Sequence, residues 1–245
     1  MENPSLQHIN IEIRQGEKIC IVGHNGSGKT TLVKLILRLY DATEGEVMLN
    51  QINIKQYNVK EYRALFGTVL QDYQIFSFNV AENVLMHEAD GEEERALAAQ
   101  SLRKVGLLDK VERMPQGLNT VLTKEFDENG VIMSGGEYQK ISISRVIAKP
   151  CRIVIMDEPS SALDPIAEHE LFQMMTKAAE HKTVIFISHR LSSTVSADKI
   201  IVMEKGSIVE EGTHQQLMKQ NGKYAEMYKM QAENYTGGGA NAQEA

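Results

Sequence analysis

The sequence has little cysteine, proline or tryptophan. Its 245 residues include no tryptophan, five prolines and only two cysteines, Cys20 and Cys151. Two cysteines without metal-ligand spacing make neither a disulfide framework nor a zinc motif. Each lies in or beside a short apolar run, which predicts two buried thiols in a reducing compartment.

Long apolar runs are also missing. None approaches the roughly 20 residues that a transmembrane helix requires, and residues 1–4 do not begin a signal peptide. Any role at a membrane is therefore expected to depend on a partner or on a segment outside these residues.

Basic residues are fewer than acidic residues. Lysine and arginine number 26 against 33 acidic residues, which gives a formal net charge of -7 and a pI of about 5.6. Non-specific DNA binding needs clustered basic residues, so no nucleic-acid partner is expected. Hydrophobic residues make up 42% of the chain, which is enough for the core of one large domain or two smaller lobes.

Strands and helices alternate along much of the chain. Strands are predicted by short apolar runs rich in β-branched residues, at 18–22, 152–156, 183–187 and 199–203. Near-continuous apolar strands usually belong to a sheet covered on both faces. Apolar positions recur at helical spacing in segments 32–39, 93–105, 137–148 and 166–179. The alternation predicts an α/β fold with a mostly parallel sheet.

Two regions depart from this alternation. Residues 6–13 alternate apolar and polar side chains, and residues 45–54 have the pattern of a hairpin around Asn50 and Gln51. Together they predict an antiparallel sheet beside the parallel core. Residues 72–146 have helical patterns and no convincing strand, which predicts an inserted helical subdomain.

The predicted organisation is one domain, residues 1–235, whose α/β core comprises 1–71 and 147–235. Residues 236–245 are rich in glycine, alanine and asparagine. That composition predicts a flexible tail.

A phosphate-binding loop is the strongest motif in the sequence. Its residues are Gly23, His24, Asn25, Gly26, Ser27, Gly28, Lys29 and Thr30, which match G-x-x-x-x-G-K-S/T at every fixed position. Glycines let successive backbone N–H groups point at phosphate oxygens, and the following helix adds partial positive charge. We expect Lys29 to reach the β- and γ-phosphates, Thr30 to bind Mg²⁺ and Thr31 to join the nucleotide contacts. The motif alone is shared by kinases, GTPases and many ATPases.

Two acids follow the apolar run at 152–156. Asp157 comes at a strand end, where a carboxylate can hold Mg²⁺ directly or through water. Consecutive strand side chains face opposite ways, so Glu158 is free to polarise a water for in-line attack on the γ-phosphate. The pair predicts a site that hydrolyses a nucleoside triphosphate.

Further motifs, in a fixed order, resemble those of ATP-binding cassette proteins. Residues 133–137, Met-Ser-Gly-Gly-Glu, resemble the signature usually written LSGGQ, which puts small residues at a helix N-terminus and so predicts a second anion site. Gln71 resembles the family's Q-loop glutamine, Asp164 its D-loop aspartate and His189 its switch histidine. The resemblance covers essentially the whole chain.

This resemblance implies a fold and a set of ligands. The fold would be a P-loop NTPase (RecA-like) α/β core with a mostly parallel sheet, an antiparallel β subdomain and an inserted helical subdomain. The ligands would be ATP and Mg²⁺, with the metal held by Thr30, Gln71 and Asp157.

The resemblance also implies a second nucleotide-binding domain as partner. Two such domains would meet head to tail around two ATP molecules, and each site would take Ser134, Gly135 and Gly136 from the opposite domain. Asp164 would communicate across the pair. The catalytic residues would be Lys29, Glu158 and His189. Hydrolysis would separate the domains and drive transport.

Residues 75–84 resemble the exporter segment LFSGTIRENI that follows the Q-loop, and residues 189–214 resemble the C-terminal half of exporter-type domains. Such exporters carry a transmembrane domain on the same polypeptide, which would put this chain at the cytoplasmic face of the cell membrane. The alternatives are a standalone ATPase subunit on a separate permease, a soluble cassette ATPase acting on DNA or the ribosome, and a small-molecule kinase. The net negative charge and residues 75–84 count against a soluble cassette ATPase. The acid pair and the signature count against a small-molecule kinase.

Two departures from the family's pattern concern the site. Glu137 replaces the usual glutamine and adds a negative charge, which pairing with Lys140 would offset. Met133 replaces leucine, a mild apolar change.

A third departure concerns the base of the nucleotide. Exporter domains carry an aromatic residue, normally tyrosine, that stacks on adenine and lies upstream of the segment matching 6–13. This sequence starts after that position, so the chain is expected to be part of a longer protein.

Overall fold

The computed structural model of the protein describes residues 5–70, 73–157, 181–188 and 191–237. The chain forms two compact units, the first made of Met1–Arg63 with Thr183–Ala245 and the second of Ala64–Lys182. The strands are β1 Lys18–Val22, β2 Met48–Leu49, β3 Ile52–Asn53, β4 Phe66–Val69, β5 Ile153–Asp157, β6 Thr183–Ile187, β7 Lys199–Glu204 and β8 Ser207–Gly212. The α-helices are α1 Lys29–Ile36, α2 Val59–Ala64, α3 Val80–Leu85, α4 Glu92–Lys104, α5 Leu108–Glu112, α6 Gly135–Ala148, α7 His214–Gln220 and α8 Lys223–Gly237.

A largely parallel sheet forms the core of the first unit. β1 pairs in parallel with β6 on one side and with β7 on the other, and β8 pairs antiparallel with β7. Consecutive residues Ile21 and Val22 are both fully buried, although their side chains point to opposite faces of the sheet. Runs that are apolar on both faces therefore form strands covered on both sides. The strands predicted at 18–22, 183–187 and 199–203 are confirmed.

The predicted hairpin is also present in the first unit. β2 and β3 pair antiparallel, with Leu49 opposite Ile52. Asn50 and Gln51 have φ values of 52° and 65°. Both values lie in the left-handed region that a two-residue type I′ hairpin turn needs.

The strand expected at residues 6–13 does not form. No residue of this segment lies in a strand, although its isoleucines are half-buried and the intervening residues are exposed. A strand also needs a neighbour that pairs with its backbone. The backbone here makes isolated contacts instead, such as the bond from the Gln7 N–H to the Gly206 carbonyl oxygen, 2.8 Å. Alternation predicted the buried face but not a pairing partner. Besides the β7–β8 pair of the larger sheet, the antiparallel pairing among the described residues is the separate β2–β3 hairpin.

Helices dominate the second unit. β4 and β5 pair in parallel, with Phe66 opposite Ile153. The chain between these strands contains α3 to α6 and, within the described residues 73–146, no strand beyond isolated bridges. α3 and α4 both pack on α6. The helices predicted at 93–105 and 137–148 are confirmed, each within a few residues of its bounds.

The structure also bears on the predictions for the cysteines, a helix, the tail and membrane-spanning segments. Cys20 and Cys151 are buried free thiols, as predicted, and burial raises the pKa of Cys20 to about 12. The helix predicted at 166–179 lies outside the described residues. α8 ends at Gly237, and most of the tail predicted at 236–245 lies outside the described residues. Within the described ranges, no helix is both long and apolar enough to span a membrane.

Candidate nucleotide-binding site

The phosphate-binding loop leads from β1 to α1 in the first unit. α1 begins at Lys29 with Gly28 as its N-cap, so the predicted order of strand, loop and helix is present. Gly26 and Gly28 have φ values of 78° and 103°, which residues other than glycine rarely adopt. A Cβ on Gly23 would lie 2.2 Å from the Met203 carbonyl oxygen. The loop therefore needs glycines for its own conformation and packing.

Lys29 is held by the backbone of its own loop. Its side chain is buried, and its Nζ donates to the carbonyl oxygens of Gly23, 2.9 Å, and His24, 3.1 Å. A buried ammonium group is stable only with such partners. The loop itself thus fixes the charged group of the motif in position.

Ser27 contributes a buried hydroxyl whose Oγ has no hydrogen-bond partner in the part of the chain that the structure describes. Its backbone is bonded on both sides, because its N–H donates to the His24 carbonyl (3.1 Å) and its carbonyl accepts from the Gly206 N–H (3.0 Å). A buried polar group without a partner costs about 1–3 kcal/mol. An unsatisfied hydroxyl in the same loop as a fixed ammonium fits a site that a hydrogen-bonding anion completes.

The rest of the loop is accessible. The exposed residues are His24, Asn25, Gly26 and Thr30, and Thr31 is half-buried. The N-cap residue Gly28 makes no side-chain cap to α1, so the first N–H groups of the helix remain available to a ligand. The predicted contacts of the loop therefore come together at the N-terminus of α1.

Asp157 is the last residue of β5 in the second unit and is almost fully buried. The strand-end position is the one that the sequence predicts, and a carboxylate oxygen is a ligand that Mg²⁺ prefers. The other predicted residues of this part of the site are Gln71, Glu158, Asp164 and His189. All four lie outside the described residues, so their roles stay predictions.

The signature residues begin α6 in the second unit. Ser134 is the N-cap of this helix and Gly135 its first residue. Both are exposed, Gly136 is half-buried and Met133 is buried. A Cβ on Gly135 would meet nothing within 4 Å. Unlike the glycines of the phosphate-binding loop, Gly135 is not required by the fold around it.

Two tyrosines outside the motif hold the signature residues. The Tyr73 hydroxyl donates to the Gly135 carbonyl oxygen (3.0 Å), and the Tyr138 hydroxyl accepts from the Met133 N–H (3.1 Å). Burial raises the pKa of Tyr73, so its hydroxyl remains a donor to a higher pH than that of an exposed tyrosine. Sequence reasoning missed both residues. Tyr73 is separated from Gly135 by 62 positions, so no local pattern could have paired them.

Glu137 pairs with a different lysine from the one expected. Its Oε2 accepts from the Ser134 N–H (2.9 Å), and its Oε1 accepts from Lys110 Nζ on α5 (2.6 Å). The predicted pairing with Lys140 is wrong. The capping bond turns the carboxylate back toward the N-terminus of α6, away from the next turn, where Lys140 lies.

The charge of Glu137 is stabilised in this setting. Burial by itself would raise the pKa of the carboxyl group, but hydrogen bonds from Lys110 and Ser134 and the charge of Lys110 outweigh it. The pKa of Glu137 is therefore below its ordinary value, and the N-terminus of α6 carries a carboxylate at neutral pH.

Known proteins match the chain in sequence. Residues 6–161 match the sequence model of the family described as ABC transporter. The chain is 36% identical over 230 residues to the ATP-dependent lipid A-core flippase of Vibrio cholerae, and 38% identical over 226 residues to that of Coxiella burnetii. These matches cover 94% and 92% of this chain but 39% and 38% of the flippases. The chain thus spans about two fifths of the length of these relatives.

A solved structure matches the fold. The structure of a bacterial Atm1-family ABC exporter with ATP bound has a TM-score of 0.83 and 32% identity to this chain, over 93% of this chain and 39% of that one. The predicted fold class, an α/β P-loop NTPase with a mostly parallel sheet, is confirmed. The chain belongs to the ABC transporter family, as its ATPase domain.

Proposed function

We propose that this chain is the motor of an ABC exporter, in which binding and hydrolysis of ATP drive a substrate across a membrane. The phosphate-binding loop carries the proposal, because Lys29 Nζ is held by the Gly23 and His24 carbonyls in a loop whose Ser27 hydroxyl has no partner among the described residues. A fixed cation, an open hydrogen-bonding group and a helix N-terminus together fit the phosphates of a nucleotide.

The first unit would hold the phosphates. Backbone N–H groups of the loop and Lys29 Nζ would bond the β- and γ-phosphate oxygens, with the exposed His24, Asn25 and half-buried Thr31 around them. Mg²⁺ prefers oxygen ligands and neutralises charge on the phosphates when bound. The exposed Thr30 hydroxyl, the Asp157 carboxylate and the Gln71 amide oxygen supply ligands of that kind.

The remaining residues would carry out and control hydrolysis. Glu158 would orient a water for attack on the γ-phosphorus and take its proton. His189 would contact the γ-phosphate and hold the attacking geometry, and Lys29 would stabilise the charge of the transition state. These assignments follow from the order of the motifs along the chain.

A second nucleotide-binding domain would complete each site. Ser134, Gly135 and Gly136 lie at an exposed helix N-terminus, and the open space at Gly135 leaves room for a phosphate that the other domain holds. Asp164 would relay the state of one site to the other. The pair would close around ATP and open after hydrolysis.

The whole protein is proposed to include a transmembrane domain on the same polypeptide, because this chain spans 39% of the Vibrio cholerae flippase. That domain would select the substrate, and a lipid is the class that the flippases' name suggests. The chain would then work at the cytoplasmic face of the cell membrane. Within it we assign the helical subdomain to 72–146 and the α/β core to 1–71 and 147–235.

The proposal is tested in the full-length protein by the change Glu158→Gln. Phosphate release should fall to background, while ATP and Mg²⁺ still bind and keep the two nucleotide-binding domains associated, because only the proton acceptor is lost. Glu93→Gln, at an exposed position of α4, is the matched control and should retain the parent rate. Hydrolysis by the Glu158 variant at the parent rate would exclude Glu158 as the base.

A further inference from the structure

The N-terminus of α6 contains an ion pair that the signature motif does not predict. Glu137 takes the place of the glutamine usual in the signature, and its two carboxylate oxygens have different tasks. Oε2 accepts from the Ser134 N–H (2.9 Å), as a glutamine oxygen also could. Oε1 accepts from Lys110 Nζ (2.6 Å). This hydrogen bond is strong because the carboxylate and the ammonium group are both charged, and a glutamine would lose the carboxylate charge.

A carboxylate at this position has opposite effects on the helix and on an anion. It satisfies a helix N–H and interacts favourably with the positive end of the helix. It also cancels that positive end for any ligand, and a polyphosphate carries several negative charges that Glu137 would repel. Lys110 returns the local charge to about zero, because its ammonium group lies against the carboxylate.

The position of Lys110 is set by packing. Its neighbours on α5, Leu108 and Val111, are buried, so the short helix is anchored and presents Lys110 on its outer side. The Lys110 side chain is 50% exposed and that of Glu137 22% exposed. The pair therefore lies at the surface next to the exposed Ser134, where an approaching molecule would sense its charge.

We propose that Lys110 is a positioning residue of the second anion site: it neutralises Glu137 so that Ser134 and the α6 N-terminus can accept the phosphates of ATP bound to the opposite domain. The inference rests on the proposed function, since it needs a nucleotide delivered from another domain. Without Lys110, the same helix N-terminus would present a net negative charge to a negative ligand.

The test measures ATP hydrolysis by the full-length protein against ATP concentration, in low and in high salt. The variants are Lys110→Met, Glu137→Gln, the combination of both, and Lys140→Met. Lys140→Met is the matched control, because it removes a lysine from the same helix end without touching the pair, and its half-saturating ATP concentration should equal the parent value.

Lys110→Met should raise the half-saturating ATP concentration about 3- to 10-fold near 0.05 M salt, the size expected for one uncompensated charge about 10 Å from a polyphosphate. The rise should shrink at about 1 M salt, where charges are screened within about 3 Å. The rate at saturating ATP should change less. Adding Glu137→Gln to Lys110→Met should return the half-saturating concentration to the parent value or below it, because the uncompensated charge is gone.

Two results would overturn the inference. One is a Lys110→Met protein with the parent's half-saturating ATP concentration in low salt. The other is a defect that persists at all salt concentrations and in the combined variant, which would mean that Lys110 only supports the fold. Ser134→Arg separates these results from a failure of the proposed function. If blocking the signature with arginine leaves hydrolysis intact, the signature does not meet a nucleotide at all.

Discussion

Two helix N-termini in this chain have the same partial positive charge and very different surroundings. α1 begins without a side-chain cap and follows a loop whose lysine is bonded to that loop's own carbonyls. α6 begins with its first N–H group bonded to its own glutamate, which a lysine from another helix neutralises. The first terminus has a lysine that its own loop positions, and the second has a lysine whose charge a carboxylate on α6 balances.

The glycines of the two sites differ in the same sense. Gly28 has a left-handed backbone, and a Cβ there would lie 2.6 Å from a Leu6 methyl carbon. Gly135 has open space where its Cβ would be. The phosphate-binding loop needs its glycines for its backbone conformation or its packing. At Gly135 nothing within the described chain needs a glycine, so we attribute it to the approach of another molecule. The difference indicates one site that binds a phosphate by itself and one that meets a phosphate already bound.

The largest expected effect concerns the phosphate-binding loop, the site that binds a phosphate by itself. Lys29→Ala should lower the rate of ATP hydrolysis about 100- to 1000-fold, the usual cost of removing one preorganised group that stabilises transition-state charge. Lys34→Ala is the matched control on the same helix, since Lys34 Nζ lies over the Tyr40 ring, 5.5 Å from its centroid, away from the loop. Phosphate release by both variants of the full-length protein is the measurement. A Lys29 variant whose rate is within about threefold of the control, a difference of about 0.6 kcal/mol in the barrier, would contradict the comparison.

The paired changes Gly28→Ala and Gly135→Ala test the glycine contrast directly. Gly28→Ala should lower the free energy of unfolding by about 1–3 kcal/mol, because an alanine is strained at φ of 103°. Gly135→Ala should leave it unchanged or raise it by up to about 1 kcal/mol, since alanine is the better helix former. Gly135→Ala should nevertheless slow hydrolysis by about tenfold or more, because a methyl group displaces the approaching phosphate.

Urea unfolding and phosphate release, measured on the same preparations, separate the two glycines. Equal losses of stability would remove the distinction between them. A Gly135→Ala protein with full activity would show that nothing approaches the signature closely.

The difference between the two sites also explains how far the sequence could predict them. The phosphate-binding loop is a local structure, in which eight neighbouring residues and the flanking periodicity contain nearly all of its chemistry. The signature depends on Lys110 and Tyr73, which are 27 and 62 positions from their partners. No periodicity relates such residues, and the nearest lysine on the same helix, Lys140, was the wrong partner. The strand expected at 6–13 failed for a related reason, because pairing depends on a neighbour that alternation does not specify.

A smaller effect is expected at Ser27, within the first site. Ser27→Ala should raise the free energy of unfolding without nucleotide by about 1 kcal/mol, because it removes a buried hydroxyl that has no partner within the described ranges. ATP should then stabilise the variant less than it stabilises the parent, as the hydroxyl is no longer there to bond. Thermal unfolding with and without ATP and Mg²⁺ measures both the stability of the free protein and the stabilisation by ATP. A destabilised variant without nucleotide would mean that the hydroxyl already has a partner, and Ser27 would no longer distinguish the first site.

The smallest effect concerns the charge at the second site. The pKa of Glu137 is lowered from 4.5, so its ionised form stabilises the folded state above that pH, and the contribution is lost as the pH falls through the lower folded-state pKa. The free energy of unfolding of the parent should therefore exceed that of Glu137→Gln at pH 7 by less than about 1 kcal/mol, a modest value because Lys110 is half exposed. The difference should shrink as the pH falls below 4.5 and through the lower folded-state pKa of Glu137. Urea unfolding of both proteins across that range is the measurement, with Glu112→Gln, an exposed acid on α5, as the control. A difference that grows on acidification would mean that Glu137 is held in its neutral form, and the charge of Lys110 would then have no carboxylate to balance it.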